Sequence, residues 1–179
     1  FYNMQQKSVF IGGPGTGKSS VLNSLKKLGY NCMPEISREV ILQAQKDGIE
    51  QLFLTKPLLF SEKLLAGREK QHIDATKENS DIVFFDRGIP SIHAYMRYFK
   101  TDFPSVFKEK SQKYKYNKVF QFLPWEKIYT SDNERYETFE ESVAISSFLH
   151  DSYSELGYEI INVPFNSVEK RCDFILKSI

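Results

Sequence analysis

Gly12-Gly13-Pro14-Gly15-Thr16-Gly17-Lys18-Ser19 decides how the chain is read. The pattern G-x-x-x-x-G-K-S is that of a phosphate-gripping loop. Ser8-Val9-Phe10-Ile11 just before it reads as a buried strand, while Val21, Leu22, Leu25 and Leu28 just after it recur at helical spacing. Strand, glycine-rich loop and helix in that order is the setting the motif needs. A plain turn would need no Lys-Ser directly after glycine.

The chemistry follows from the residue types. Glycines let the backbone curl so that N–H groups point inward, and a helix starting near Lys18 adds the positive end of its dipole. Gly13, Pro14, Gly15, Thr16, Gly17, Lys18, Ser19 and Ser20 are therefore the expected cradle for a nucleotide's phosphates. Lys18 neutralises the outer phosphates, and Ser19 is placed to hold magnesium.

At 179 residues the chain is expected to be one domain. Met4 reads as the natural start, with Phe1–Asn3 a remnant ahead of it. A hydrophobic share of 41% and a charged share of 26% are those of an ordinary globular protein. No apolar run approaches the ~20 residues of a membrane span and no secretory signal opens the chain, so a cytoplasmic location is expected. A net charge of +1 gives no reason to expect nucleic acid or an acidic membrane as partner. Cys32 and Cys172 match no metal or redox spacing and read as free thiols.

Along the chain strands alternate with helices. Tyr30–Met33 reads as a second strand, and Pro34-Glu35 opens a helix carrying Ile36, Val40 and Ala44. A long helix is expected from Thr55 to about Lys77, with Leu58, Leu65 and His72 on its core side. Ile82-Val83-Phe84-Phe85 is the most apolar run, the mark of a strand covered on both faces. It ends in Asp86; beyond it Ser91 is the expected cap of the next helix, with a further short helix after Phe103-Pro104. Lys118–Leu123 and Glu159–Val163 complete five strands, with helices over 137–156 and from Val168 onward. The stretch 125–137 reads as a lid. The whole predicts a three-layer α/β P-loop fold with a parallel sheet of about five strands. Ligands of such sheets sit at the carboxyl ends of the strands.

Those ends carry the candidate catalytic residues. Asp86 closes an apolar strand, as in a second magnesium-organising motif; a helix-capping role competes with that reading. Arg87 can grip an acceptor or a phosphate, or pair with Asp86 or Glu35. Glu35 is a candidate general base or metal-water ligand, and Arg38 one turn on can bind substrate or tether it. Arg135, and less so Lys127, is placed to close over the transferring phosphate. The basic, tyrosine-bearing stretch Lys108–Lys118 reads as a solvated helix end rather than a nucleic-acid site.

Gly12–Ser20, Pro34-Glu35 with Arg38, Phe85-Asp86-Arg87-Gly88, Leu123-Pro124-Trp125-Glu126 with Asp132 and Arg135, and Leu156-Gly157-Tyr158 leading into Val163-Pro164 together resemble a family of small AAA-like predicted ATPases. Related to it is the nicotinamide riboside kinase domain of bacterial NAD-synthesis regulators. The resemblance runs from about Lys7 to Ile175. It implies a kinase-type P-loop fold with ATP, or alternatively GTP, and magnesium as ligands. The layout is also similar to deoxynucleoside and nucleotide kinases, whose acid after the second strand, Asp-Arg pair after the third and lid arginines match Glu35, Asp86, Arg87 and Arg135. Gly88 stands where such kinases carry a residue that marks a particular nucleoside. The expected function is magnesium-dependent phosphate transfer from ATP to a hydroxyl of a small nucleoside-like acceptor. The alternative is a regulatory ATPase or GTPase that signals to a protein partner.

Lys18→Ala is expected to lower the affinity for ATP and GTP in magnesium buffer by roughly tenfold or more, the worth of a charged hydrogen-bonding group. Equilibrium dialysis with labelled nucleotide checks it, and unchanged affinity would overturn the phosphate-loop reading.

Overall fold

A computed structural model describes residues 4–129 and 137–179. Five strands form one all-parallel sheet: β1 (Gln6–Ile11), β2 (Asn31–Met33), β3 (Ile82–Asp86), β4 (Lys118–Gln121) and β5 (Ile160–Asn162), in the spatial order β2-β3-β1-β4-β5. The expected three-layer P-loop architecture is the one observed. β1 lies at the centre, with Val9 facing Phe85 on one side and Val119 on the other. Val9, Phe10, Ile11, Val83 and Phe84 are wholly buried, as continuous apolar runs in a doubly covered sheet require.

Alternation of side chains divides the sheet into two faces. Val9, Ile11, Val83, Phe85 and Val119 point to one face, where they meet Ile145, Leu149 and Tyr153 of α7 (Phe139–Ser154) and Ala94 of α5 (Ile89–Tyr98). Phe10, Phe84 and Phe120, with Phe122 beyond β4, point to the other. There they meet Val21, Leu22 and Leu25 of α1 (Lys18–Lys27) and Cys172 and Ile175 of α8 (Val168–Lys177). Phe10 is the hub of the second face, its ring centroid 5.4 Å from Phe84, 5.9 Å from Phe120 and 5.0 Å from Phe122. Each such buried ring contributes roughly 1.5–3 kcal/mol relative to exposure.

A third cluster stands beside the sheet: Leu64 and Leu65 of α4 (Pro57–Lys77), Ile89, Ile92 and Met96 of α5, and Phe107 of α6 (Val106–Lys113). Ile36 and Val40, at the start of α2 (Ser37–Lys46), pack onto it. Among the described residues no helix is long and apolar enough to cross a membrane. Cys172 is a buried free thiol, whereas Cys32 is only half-buried.

Local details correct several expectations. The second helix begins at Ser37 and not at Pro34-Glu35, because the Glu35 carboxylate accepts hydrogen bonds from the Ser37 N–H (2.9 Å) and hydroxyl (2.6 Å) and so stands outside it. The cap of α5 is Gly88, with Ser91 one turn inside the helix and its Oγ 3.5 Å from the Gly88 N–H. Leu58 is 37% exposed and leaves the core stripe that Leu65 keeps. A short helix α3 (Leu52–Thr55), buried at Leu52, fills a stretch the periodicity did not mark. α7 starts at Phe139, two residues later than expected, behind Thr138, whose Oγ1 accepts from the Glu141 N–H while Glu141 accepts from the Thr138 N–H.

Gly88 has no room for a side chain: a Cβ there would lie 2.7 Å from the Tyr116 ring and 2.8 Å from the Tyr153 hydroxyl. Both tyrosines are buried, and neither contact is the end of a flexible chain. Gly88→Ala is therefore expected to cost about 1–3 kcal/mol of stability, read as a lower urea midpoint; an unchanged midpoint would contradict this packing.

Candidate active site

The phosphate loop leaves the end of β1 under tight constraint. The Phe122 N–H bonds to the Ile11 carbonyl at 2.8 Å, and a Cβ on Gly12 would lie 2.5 Å from the Phe122 carbonyl oxygen. At the far end Gly17 caps α1 with φ +90°, a backbone state that side chains disfavour. Between them the Thr16 hydroxyl donates to the Gly13 carbonyl at 2.9 Å. Ser19 and Ser20 follow, exposed in the first turn of α1.

Lys18 is only 6% exposed, and its ammonium donates to the carbonyls of Gly12 (2.8 Å) and Gly13 (2.9 Å). Burial, with Arg87 nearby, lowers its pKa to about 8, against the opposing pull of Asp86, Glu35 and Glu137. The ammonium thus rests on weak neutral acceptors, ready for a stronger anionic one.

β3 delivers the next groups. Asp86 is 8% exposed, and its Oδ1 is buried with no hydrogen-bond partner. Arg87 follows in the left-handed region at φ +66°, its own N–H bonded to the Phe10 carbonyl at 2.9 Å. That strain is the kind stored where a side chain must be aimed. The Arg87 guanidinium lies 5.3 Å from the Tyr95 ring centroid, with Nε buried and unpartnered. Burial works against its charge, but Tyr95, Glu35, Asp86 and Glu137 outweigh that and hold its pKa above the ordinary value.

Glu35 belongs to the same cluster. Besides the Ser37 bonds, its Oε1 pairs with Arg68 Nη2 at 3.2 Å. Arg68, on α4 and 3% exposed, also donates from Nη1 to the Gly88 carbonyl at 3.1 Å. Burial would raise the Glu35 pKa, yet Arg87, Arg68 and Ser37 prevail and bring it down to about 2. The carboxylate is therefore ionised at every working pH. Glu137, ahead of α7, also faces Arg87 and Lys18, and burial raises its pKa.

Of the residues expected from sequence, the fold brings together Lys18, Glu35, Asp86 and Arg87. Arg38 is exposed in the first turn of α2, and the ion pair to Glu35 comes from Arg68. Arg135 lies outside the described residues, while Lys127 is exposed. Sequence reasoning missed Arg68, Glu137 and Arg171 as members of the site. Arg171 of α8 is 2% exposed and donates from Nη1 to the Thr16 carbonyl at 3.0 Å. Nearby, Trp125 and Phe165 stack with centroids 5.0 Å apart.

Magnesium would need hard oxygen ligands. The unpartnered Asp86 Oδ1 and the exposed Ser19 hydroxyl are oxygens that could serve. No group of three His, Cys, Asp or Glu is gathered among the described residues.

The strand order, the loop at the end of β1 and the carboxylate at the end of β3 define a three-layer α/β P-loop fold. A family model described as an AAA domain matches residues 7–171, and the chain belongs to that family. No curated protein matches the sequence. Among solved structures, a NadR protein in complex with NAD and AMP-PNP superposes with a TM-score of 0.73 at 13% identity, covering 97% of this chain and 49% of that one. The deoxyadenosine kinase of M. mycoides with bound dATP gives 0.63 at 16% identity, with 97% and 98% covered. Thymidylate kinase from Candida albicans gives 0.65 at 16%, with 98% and 91% covered. The chain spans about half the length of the NadR protein, and at these identities the likeness establishes the fold.

The depressed Lys18 pKa gives a signed prediction. Below pH 8 the ammonium is charged in the free protein, and above it the charge is lost. A polyphosphate favours the charged form, so binding takes up a proton and affinity falls as pH rises past 8, by at most about tenfold per unit. Calorimetry at pH 9 in buffers of differing ionisation heat should show that proton uptake; none, with affinity level from pH 7 to 9.5, would contradict it.

Proposed function

We propose that the chain is a magnesium-dependent kinase that moves the terminal phosphate of ATP to a hydroxyl of a small, nucleoside-like acceptor. The observation that carries this is the charged group of Glu35, Arg68, Asp86 and Arg87 beside the phosphate loop, in which Arg68 and Asp86 are buried and Asp86 Oδ1 and Arg87 Nε are left without partners. Binding a nucleotide alone needs only the loop and Lys18. A second, polar and precharged set of groups next to it suits an acceptor that must be held in line. The structural relatives support the reading: a deoxyadenosine kinase and a thymidylate kinase are among them, and one NadR structure holds NR.

The roles follow from the environments. The loop's N–H groups and Lys18 hold the β- and γ-phosphates. Glu35, kept ionised by Arg68 and Arg87, accepts the hydrogen bond of the acceptor hydroxyl and orients its oxygen toward the γ-phosphorus. A new P–O bond forms to that oxygen as the bond to the β-phosphate oxygen breaks, and the hydroxyl proton passes to Glu35 or Asp86. Its low pKa makes Glu35 a weak base early on, which suits a loose transition state where the proton leaves late. Arg87 neutralises charge on the transferring oxygens, and Arg135 from the lid is assigned the same task. Magnesium on Ser19 and Asp86 would supply further charge neutralisation between the phosphates. The base lies beside Trp125 and the loop 164–166, where Phe165 offers an aromatic face.

A panel of nucleosides and pyridine ribosides with γ-labelled ATP tests the proposal. At least one acceptor should be labelled, and Glu35→Gln should lower that turnover about 10²-fold or more with little change in ATP affinity. Intact ATP binding with no acceptor-dependent product would overturn it in favour of a regulatory hydrolase.

A further inference from the structure

Arg171 is an expensive residue to bury, and nothing in the proposed phosphate transfer uses it. It is among the largest wholly enclosed side chains and carries a charge. No acidic residue pairs with it among the described ion pairs. Its Nε and Nη2 have no hydrogen-bond partner, and its guanidinium carbon lies 4.7 Å from the Phe122 ring centroid and 5.7 Å from that of Trp125. Among the described residues its side chain makes one hydrogen bond, Nη1 to the Thr16 carbonyl at 3.0 Å, which spans 155 positions of sequence and ends in the middle of the phosphate loop.

The contact is built from both sides. A Cβ on Gly17 would lie 2.5 Å from Arg171 Nη1, so the glycine that the motif requires is also what lets the guanidinium reach the backbone. Ile128 closes the same face, 3.4 Å from that position. In a trans peptide the carbonyl and the following N–H point in opposite directions, and the chain has no cis bonds among the described residues. Pulling the Thr16 carbonyl toward α8 therefore turns the Gly17 N–H the other way, away from α8.

We propose that Arg171 is a positioning residue for polyphosphate: by anchoring the Thr16 carbonyl it fixes the Gly17 N–H as a phosphate donor and polarises that peptide. The cation–π contacts with Phe122 and Trp125 hold the guanidinium without a carboxylate that would cancel its field at the loop. Arg171 itself touches no phosphate. Because the effect passes through the loop, it concerns phosphates of any nucleotide and leaves base preference alone. The inference rests on the reading of the loop as a phosphate cradle.

The test compares magnesium-ATP and inorganic tripolyphosphate as ligands of wild type, Lys18→Ala, Arg171→Met and Arg171→Lys. Arg171→Met should weaken both ligands by the same factor, roughly tenfold for one charge-assisted bond, and Arg171→Lys should recover part of the loss. In ¹⁵N–¹H spectra, the Gly17 amide of wild type should shift on adding tripolyphosphate. In Arg171→Met that shift should shrink while the Gly15 shift persists. Loss confined to ATP would make Arg171 a base-side residue and overturn the proposal, as would unchanged affinity for both ligands. If Arg171→Met does not fold, Arg171→Gln, which removes the charge, takes its place, and an unaltered Gly17 shift with unaltered affinity for both ligands overturns the proposal equally. Lys18→Ala without effect on either ligand would instead sink the phosphate-cradle reading.

Discussion

A buried ammonium with nothing better to bond than its own loop sets the terms for this site. Lys18 is held between the carbonyls of Gly12 and Gly13, deep enough for burial to drag its pKa down to about 8. Such an arrangement is costly in isolation, since neutral carbonyls replace water poorly around a charge. It persists because the glycine-rich loop is fixed at both ends, by β1 at Ile11 and by α1 at Gly17. Under the proposed function an arriving polyphosphate would supply the missing countercharge and find the cation already in place. The cost is met in folding rather than at the moment of reaction, which is what preorganisation means energetically.

The same logic extends across the carboxyl ends of the strands. β1, β3 and the turn after β2 deliver Lys18, Asp86-Arg87 and Glu35 to one place because parallel neighbours in register end together. Charge is nearly balanced there: Lys18, Arg68 and Arg87 face Glu35, Asp86 and Glu137. Opposite charges at this spacing offset part of what each loses by leaving water. Glu35 illustrates the point, since burial alone would raise its pKa and two guanidiniums with Ser37 drive it far the other way.

What was legible in the sequence was whatever is local. The phosphate loop, the apolar strands with Asp86 at the end of one, and the alternation that fixes a parallel sheet all follow from contiguous residues and their spacing. The members that escaped are held by contacts over long sequence separations: Arg68 reaches Glu35 33 positions away and Arg171 reaches Thr16 155 positions away. A signal did exist. Arg68 follows Leu64 and Leu65 on the buried stripe of α4, and Arg171 lies with Cys172 and Ile175 on the buried side of α8. A charge on an apolar face demands a partner, but helical periodicity cannot say which. The misplaced start of α2 has a related cause. Glu35 favours a helix N-terminus in either reading, and only the Ser37 bonds reveal that it caps from outside.

The unpartnered polar atoms sharpen the functional argument. A buried donor or acceptor without a partner costs about 1–3 kcal/mol, so a fold selected only for stability would not keep many together. Here Asp86 Oδ1, Arg87 Nε, Arg68 Nε and the Tyr95 hydroxyl lie within the charged cluster beside the phosphate loop. Scattered defects would carry no message. Gathered around a buried cation and a strained Arg87 backbone, they leave hydrogen-bonding capacity open beside the phosphate loop, as the proposed acceptor site requires. Donors and acceptors of both kinds are present, which suits a ligand with hydroxyls as well as anionic oxygens. Simple hydrolysis asks for a water and little else, so the excess of directed polar groups is the physical reason to favour transfer to an acceptor over release to solvent.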